Sequence, residues 1–208
     1  MKAETLFSAE DQERIRQAIV EAESRTAGEI VPMVVRASAR YTETELLGLI
    51  VGLLIGMIAE FFWSDPWASA YLNLWPVGGA FTGFFLCRLA AAKRRITPRQ
   101  RIAEAVHSFA LAEFTEQGLH HTREHTGILI LVSLLEHRVE VLADRGINQK
   151  VSAGTWDEVV STITVGVKSG QACDALCQAI KRCGDILAEH FPRQADDQDE
   201  LPNRLVTD

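Results

Sequence analysis

The chain is short of the features that usually mark an enzyme or a nucleic-acid binder. Basic residues are outnumbered: 21 Lys and Arg stand against 28 Asp and Glu, for a net charge of −7 and a pI near 5.4. That balance repels a phosphate backbone, so no nucleic acid is expected as a partner. Cysteine is scarce, with four residues. Three of them, Cys173, Cys177 and Cys183, follow a C-x3-C-x5-C spacing that fits no zinc knuckle. Reduced, partly buried thiols are the expectation. No C-x5-R loop and no glycine-rich phosphate loop occurs, which removes two common devices for holding a transferring phosphoryl group. The opening stretch MKAETLFSAEDQ has no apolar core, so no cleavable signal is expected.

Long apolar runs, by contrast, are present. Leu46–Trp63 and Tyr71–Cys87 are each about the length of helix that crosses a bilayer. The connector Ser64–Ala70 has no Lys or Arg, while Arg36 and Arg40 precede the first run. Arg88, Lys93, Arg94, Arg95, Arg99 and Arg101 follow the second. The positive-inside rule then places both flanks in the cytoplasm and the connector outside. The alternative is a pair of helices buried in a soluble core. Glu60 and Arg88 argue for it, but both lie toward span ends, where long side chains reach the interface. Trp63, Trp67, Tyr71 and Trp75 cluster around the turn, as aromatic residues do at a membrane surface. Gly48, Gly52 and Gly56 recur at four-residue spacing, as do Gly79 and Gly83. That spacing lets helix backbones approach closely, either within the hairpin or between chains.

The remaining residues form a discontinuous domain over 1–45 and 93–192, around a hairpin at 46–92 and before an acidic tail at 193–208. Ser8 caps a helix with Ile15, Ala18, Ile19 and Ala22 on one face. Glu29–Ala37 reads as a strand, and Pro32 puts it at an edge or a bulge. Thr97-Pro98 opens the next helix. Gly127–Leu135 is nearly all apolar, as in a central strand covered on both faces, and Val139–Ala143 returns beside it. Thr155 with Glu158 predicts a capping box, and a last helix runs from about Ala172 to His190. The order of elements implies an α/β fold: a three-layer α/β/α sandwich around a small mixed sheet, with the hairpin inserted in a crossover.

Chemistry concentrates in a few places. Asp144, with Arg145 beside it, follows the third strand, where α/β sheets often place ligands. Asp196, Asp197, Asp199 and Glu200 offer hard oxygen ligands, and with Asp144 they are the candidates for Ca²⁺ or Mg²⁺. The run lacks EF-hand order, and the alternative is a solvated tail. Leu201-Pro202 and Leu205-Val206 offer apolar contacts that would dock that tail. His120, His121 and His125 lie close enough in sequence to suggest a transition metal.

Three stretches, SAEDQERIRQAIVEAESRTAGEIVPMVV, TGILILVSLLEHRVEVLADRGI and KSGQACDALCQAIKRCGDIL, resemble the TPM domain family in order and spacing. The resemblance implies an α/β/α domain of bacterial and plastid membrane-associated proteins. Many members place the domain outside the cytoplasm before a single membrane helix, whereas here the hairpin lies inside the domain. The glycine loop also departs from the family's G-x-G-hydrophobic-E, reading Asp144-Arg145-Gly146-Ile147-Asn148. Acid phosphatase, photosystem-repair and receptor-accessory activities occur in the family, so the fold does not choose among them. The expectation is a membrane-anchored binding or accessory module in the bacterial inner membrane, its domain and both termini cytoplasmic. Expected partners are membrane lipid and another membrane protein, LemA-type by resemblance, or a second copy. The alternative is a divalent-metal-dependent, acid phosphatase-like hydrolase using Asp144, Arg145 and the acidic tail.

Overall fold

A computed structural model describes residues 6–63, 74–194 and 200–207. The chain divides into two units, one of Met1–Ser38 with Glu104–Asp208 and one of Ala39–Ala103.

In the first unit, helix α1 (Ala9–Glu23) begins at a reciprocal capping box. The Asp11 amide donates to Ser8 Oγ at 3.1 Å, and the Ser8 amide donates back to the Asp11 carboxylate at 3.0 Å. The Ser8 hydroxyl also donates to that carboxylate, at 2.8 Å, and this bond together with the one from the Ser8 amide holds the Asp11 carboxyl below its usual range. Strand β1 (Glu29–Val35) pairs in parallel with β2 (Gly127–Ser133), from Glu29 opposite Gly127 to Val35 opposite Ser133. Strand β3 (Arg138–Ala143) runs antiparallel to β2. The short β4 (Val206–Thr207) pairs with Met33 and Val34 of β1. The sheet order is therefore β3-β2-β1-β4.

Every residue of β1 and β2 is buried, which is why both strands read as continuous apolar runs rather than alternating ones. Alternation instead sorts their side chains between two layers. Ile30, Val34, Ile128, Ile130 and Val132 face a core shared with α1, α7 (Trp156–Ser169) and α8 (Ala172–His190). Val31, Met33, Val35, Leu129 and Leu131 face Val106 and Ala110 of α5 (Arg99–Glu116). This is a three-layer α/β/α sandwich. On α8, Leu176, Ala179, Ile180, Cys183 and Leu187 all point inward, at the spacing of one helix face.

Two local expectations are corrected. Pro32 does not place β1 at the sheet margin, because β4 covers the carboxyl half of the strand. Thr155 forms no side-chain cap: its φ of −62° and ψ of −30° are helical, and a 3-10 turn, Ala153–Thr155, leads straight into α7. A capping side chain works from an extended residue, which Thr155 is not.

The second unit holds α2 (Thr42–Trp63), α3 (Leu74–Arg88) and α4 (Ala90–Ile96). Over Thr42–Phe62, α2 is long and apolar enough to cross a membrane. The axis of α3 bends by 89° into α4. Among the described residues, one helix thus meets the crossing length by itself, or two spans if the bent pair counts as one. The connector Ser64–Ala70, with Trp67 and Tyr71, lies outside the described residues.

Candidate functional site

The first unit gathers its polar side chains at the amino ends of β1 and β2. Because β3 is antiparallel to β2, its end at Ala143 lies opposite Ile128. Asp144 therefore stands beside the start of the parallel pair, and its amide donates to Gly127 O at 2.9 Å. The ligand crevice of an open α/β sheet forms at the opposite, carboxyl ends. Asp144 sits instead in an extended conformation as the cap of α6 (Arg145–Asn148).

Both of its oxygens are engaged. Oδ1 accepts the Arg145 amide at 2.6 Å, and Oδ2 lies 3.2 Å from His125 Nδ1. The Arg145 guanidinium meets the other ring nitrogen, Nε2. A guanidinium only donates, so Nε2 is the acceptor and the imidazole proton sits on Nδ1, directed at Asp144. His125 itself has a φ of 56°, a left-handed backbone uncommon for a residue with a side chain. Gly146 closes the arrangement, donating its amide to His125 O at 3.1 Å. A Cβ on Gly146 would lie 2.5 Å from Glu124 O and 2.6 Å from His125 O, so no larger residue fits there without backbone movement.

The loop beneath is fixed by its threonines. Thr122 Oγ1 accepts the Thr126 amide at 3.0 Å and donates to Leu119 O at 3.2 Å. Thr126 Oγ1 donates to Ala27 O at 2.9 Å. Glu200 reaches the same edge: its amide donates to the buried Glu29 carboxylate at 2.9 Å, and its own carboxylate accepts the Arg123 amide at 3.1 Å. Gln194 Nε2 donates to Glu124 Oε1 at 3.3 Å. Both flanks of the acidic stretch are thus tied to neighbouring residues of one loop. Leu201, Leu205 and Val206 continue the docking by packing on the two cores.

Of the sequence candidates, Asp144, Arg145 and Glu200 come to this one edge. Asp196, Asp197 and Asp199 lie outside the described residues. The rings of His120 and His121 lie against each other with centroids 3.8 Å apart and planes tilted by 43°, while His125 turns to Asp144. Among the described residues, no group of three or more His, Cys, Asp or Glu is arranged to hold a metal ion. Sequence reasoning missed Glu29; its only signal is a carboxylate opening a strand that is otherwise apolar. The four cysteines are free. Burial, and then a hydrogen bond to Asp11, pushes the Cys173 thiol up to about 12, and burial takes Cys183 to about 12 as well. Neither supplies a thiolate near neutral pH.

The second unit carries the other candidate feature, the glycine stripe. A Cβ on Gly52 would collide with the Gly79 carbonyl oxygen, and one on Gly79 with the Gly52 carbonyl. Gly48 and Gly83 stand in the same relation, and Gly56 abuts the backbone of Trp75 and Pro76. These glycines close α2 onto α3 within one chain, backbone against backbone, as small residues do between membrane helices. Away from the seam, large apolar side chains face outward, with Ile55 61% and Phe61 82% exposed.

Residues 95–186 match the family model of the TPM domain. The first of the three resembling stretches, which ends in β1, precedes the matched region. The chain is also similar to the NMR structure of BA42 protein from the psychrophilic bacterium Bizionia argentinensis. That likeness has a TM-score of 0.61 at 23% identity and covers 96% of this chain and 94% of that one. At that identity the likeness speaks for the fold. No curated protein matches the chain.

Proposed function

From the premise that this chain carries a TPM domain, we propose that it is a membrane-anchored binding module rather than a hydrolase. The hairpin of α2 and α3 is the anchor, and the α/β/α domain engages another membrane protein on the cytoplasmic side. The observation that carries this reading is the outward apolar surface of the hairpin. A helix of 22 residues that turns Leu46, Ile55, Ile58 and Phe61 outward exposes far more contiguous apolar area than a water-soluble monomer tolerates. In lipid the same surface is solvated. The Asp144 carboxylate supports a binding role in its own way, since capping and the His125 contact occupy both oxygens.

The test is topology by thiol labelling in a background without the four native cysteines. A cysteine at Ser64 should react with an impermeant maleimide in intact cells. A cysteine at Gln149 should react only after permeabilisation. Labelling of Gln149→Cys from outside sinks the cytoplasmic assignment, and release of the chain by alkaline wash sinks the anchor itself.

One observation favours a second reading, a divalent-cation-dependent, phosphatase-like hydrolase. Gln194 and Glu200 are tied to the loop that carries His125, which brings the Glu200 carboxylate to the edge where Asp144 stands. Metal-dependent phosphate release that disappears in Asp144→Asn would favour this reading; equal release in that variant would remove Asp144 from it.

A further inference from the structure

One margin of the sheet is left open by the chain itself. β4 pairs with β1 at one side, whereas β3 has β2 on one flank and, among the described residues, no strand on the other. The direction of each backbone group on β3 follows from its neighbour. The Asp144 amide bonds to Gly127 O, so Leu142, Glu140 and Arg138, at two-residue steps from it, also turn their N–H and C=O toward β2. Val139, Val141 and Ala143 turn theirs outward. Asn148 Nδ2 donates to Ala143 O at 2.6 Å. The other outward groups, those of Val139 and Val141 and the Ala143 N–H, have no backbone partner among the described residues. Such a row is a template for one more strand.

A helix borders the same margin. On α5, His107 Nδ1 lies 3.0 Å from Glu140 Oε1 of β3, and Phe114 and Leu142 pack on one core. Leu111 stands between His107 and Phe114 on that stripe of the helix and is 50% exposed. A strand added to β3 would lie along this flank and take apolar surface out of water.

Charge and turn geometry select the strand that fits. Antiparallel pairing of β3 with its own copy, about a two-fold axis at Val141, sets Val141 against its counterpart and Val139 against Ala143. It also sets Arg138 of each chain opposite Asp144 of the other, a cross-strand pair of opposite charge at both ends. Other registers are worse. An axis at Glu140 opposes two glutamates, and one at Leu142 opposes Glu140 to Asp144, like charges in both cases. An axis at Val139 would need His137 to be extended, but its φ is 51°. We propose that β3 is the interface between two copies of this chain, joining their four-stranded sheets edge to edge in the register centred on Val141. Every residue involved lies in the first unit, so the pairing does not depend on the membrane-anchored reading.

Cysteine cross-linking of the full chain in unfractionated lysate tests it, in a background without the four native cysteines. In the proposed register a cysteine at Val141 faces its counterpart with the Cα atoms about 5.5 Å apart, within reach of a disulfide. A cysteine at Val139 is displaced from its counterpart by about 14 Å along the strands, out of reach. Mild oxidation should therefore join Val141→Cys into a dimer and leave Val139→Cys monomeric. Adding Arg138→Glu to Val141→Cys puts like charges at both ends and should slow the cross-linking about tenfold. Arg138 is exposed, so that variant keeps its fold. The absence of a Val141→Cys dimer overturns the proposal. So does equal cross-linking of Val139→Cys, which marks random collision, or an unchanged rate with Arg138→Glu, which removes the charge that selects the register. An adduct of Val141→Cys with a different protein in place of its own copy overturns it as well, by giving the margin to another chain.

Discussion

Replacing Asp144 by alanine or by asparagine separates a structural carboxylate from a ligand. Alanine removes the cap of α6, worth about 1 kcal/mol. It also removes the contact from His125, a partly shielded hydrogen bond worth roughly another 1 kcal/mol. The expected loss is about 2 kcal/mol, or a fall of about 1 M in the urea midpoint if the slope is near 2 kcal/mol/M. Asparagine keeps one acceptor oxygen for the Arg145 amide but turns an NH2 toward the His125 ring, so it should keep the cap and cost about half of that. The readout is Trp156, which is buried in the first unit, with Trp63, Trp67 and Trp75 replaced by phenylalanine and the chain held in mild detergent. A His125→Asn background completes the cycle, because asparagine tolerates the left-handed backbone while losing the ring. In that background Asp144→Ala should cost only the cap. The cycle is then repeated in millimolar Ca²⁺. If Asp144→Asn is as damaging as Asp144→Ala, and Ca²⁺ raises the midpoint of the unaltered chain alone, the carboxylate is a metal ligand and the capping argument fails.

Two further outcomes follow from the same contacts. Arg16 and Gln17 hold the Glu13 carboxyl down to about 2 from an ordinary value near 4.5. Its contribution to stability is therefore complete above about pH 4.5 and is lost as the pH falls toward 2. Glu13→Gln should flatten the acid limb of the melting profile across that window, and an unchanged profile would show that this exposed pair contributes nothing. Removal of residues 201–208 takes away β4 and the Leu201 contact, uncovering the margin of β1 at Met33 and Val34. The shortened chain should melt lower and self-associate, as uncovered strand edges do; light scattering equal to that of the full chain would refute this.

How far the sequence could be read depended on whether the relevant physics was local. Ser8 and Asp11 lie three residues apart and determine their cap between themselves, so α1 was legible from its first turn. The apolar run of Gly127–Ser133 declared a strand covered on both faces, and the inward face of α8 followed from spacing alone. What was hidden depended on distant segments. β4 has two residues, too few to show any period, and exists only because Met33 and Val34 offer a margin to pair with. Pro32 misled for the same reason. Asp144 could be placed after a strand, but which end of the sheet it occupies depends on the antiparallel course of β3. Its role as a cap depended on an unrecognised four-residue helix. The Thr155 box failed because the turn before it was already helical. In the hairpin, the glycine spacing announced close packing but could not say whether the facing backbone belonged to the same chain.

The parallel pairing of β1 with β2 has a consequence for how the protein is made. The first strand leaves the ribosome long before its partner, and everything between them includes the hairpin. Until β2 arrives, β1 is an apolar segment without a neighbour. Thr44 and Thr97 hydroxyls meet at 3.2 Å, and Lys93 pairs with Glu45, so a finished hairpin ties its own entrance to its own exit. For the chain outside it, this shortens the loop between the strands from about 90 residues to about 40, which lowers the closure cost by about 0.7 kcal/mol. Closing the hairpin thus becomes an assembly step for the sheet, because it draws together the two ends of the chain that it interrupts.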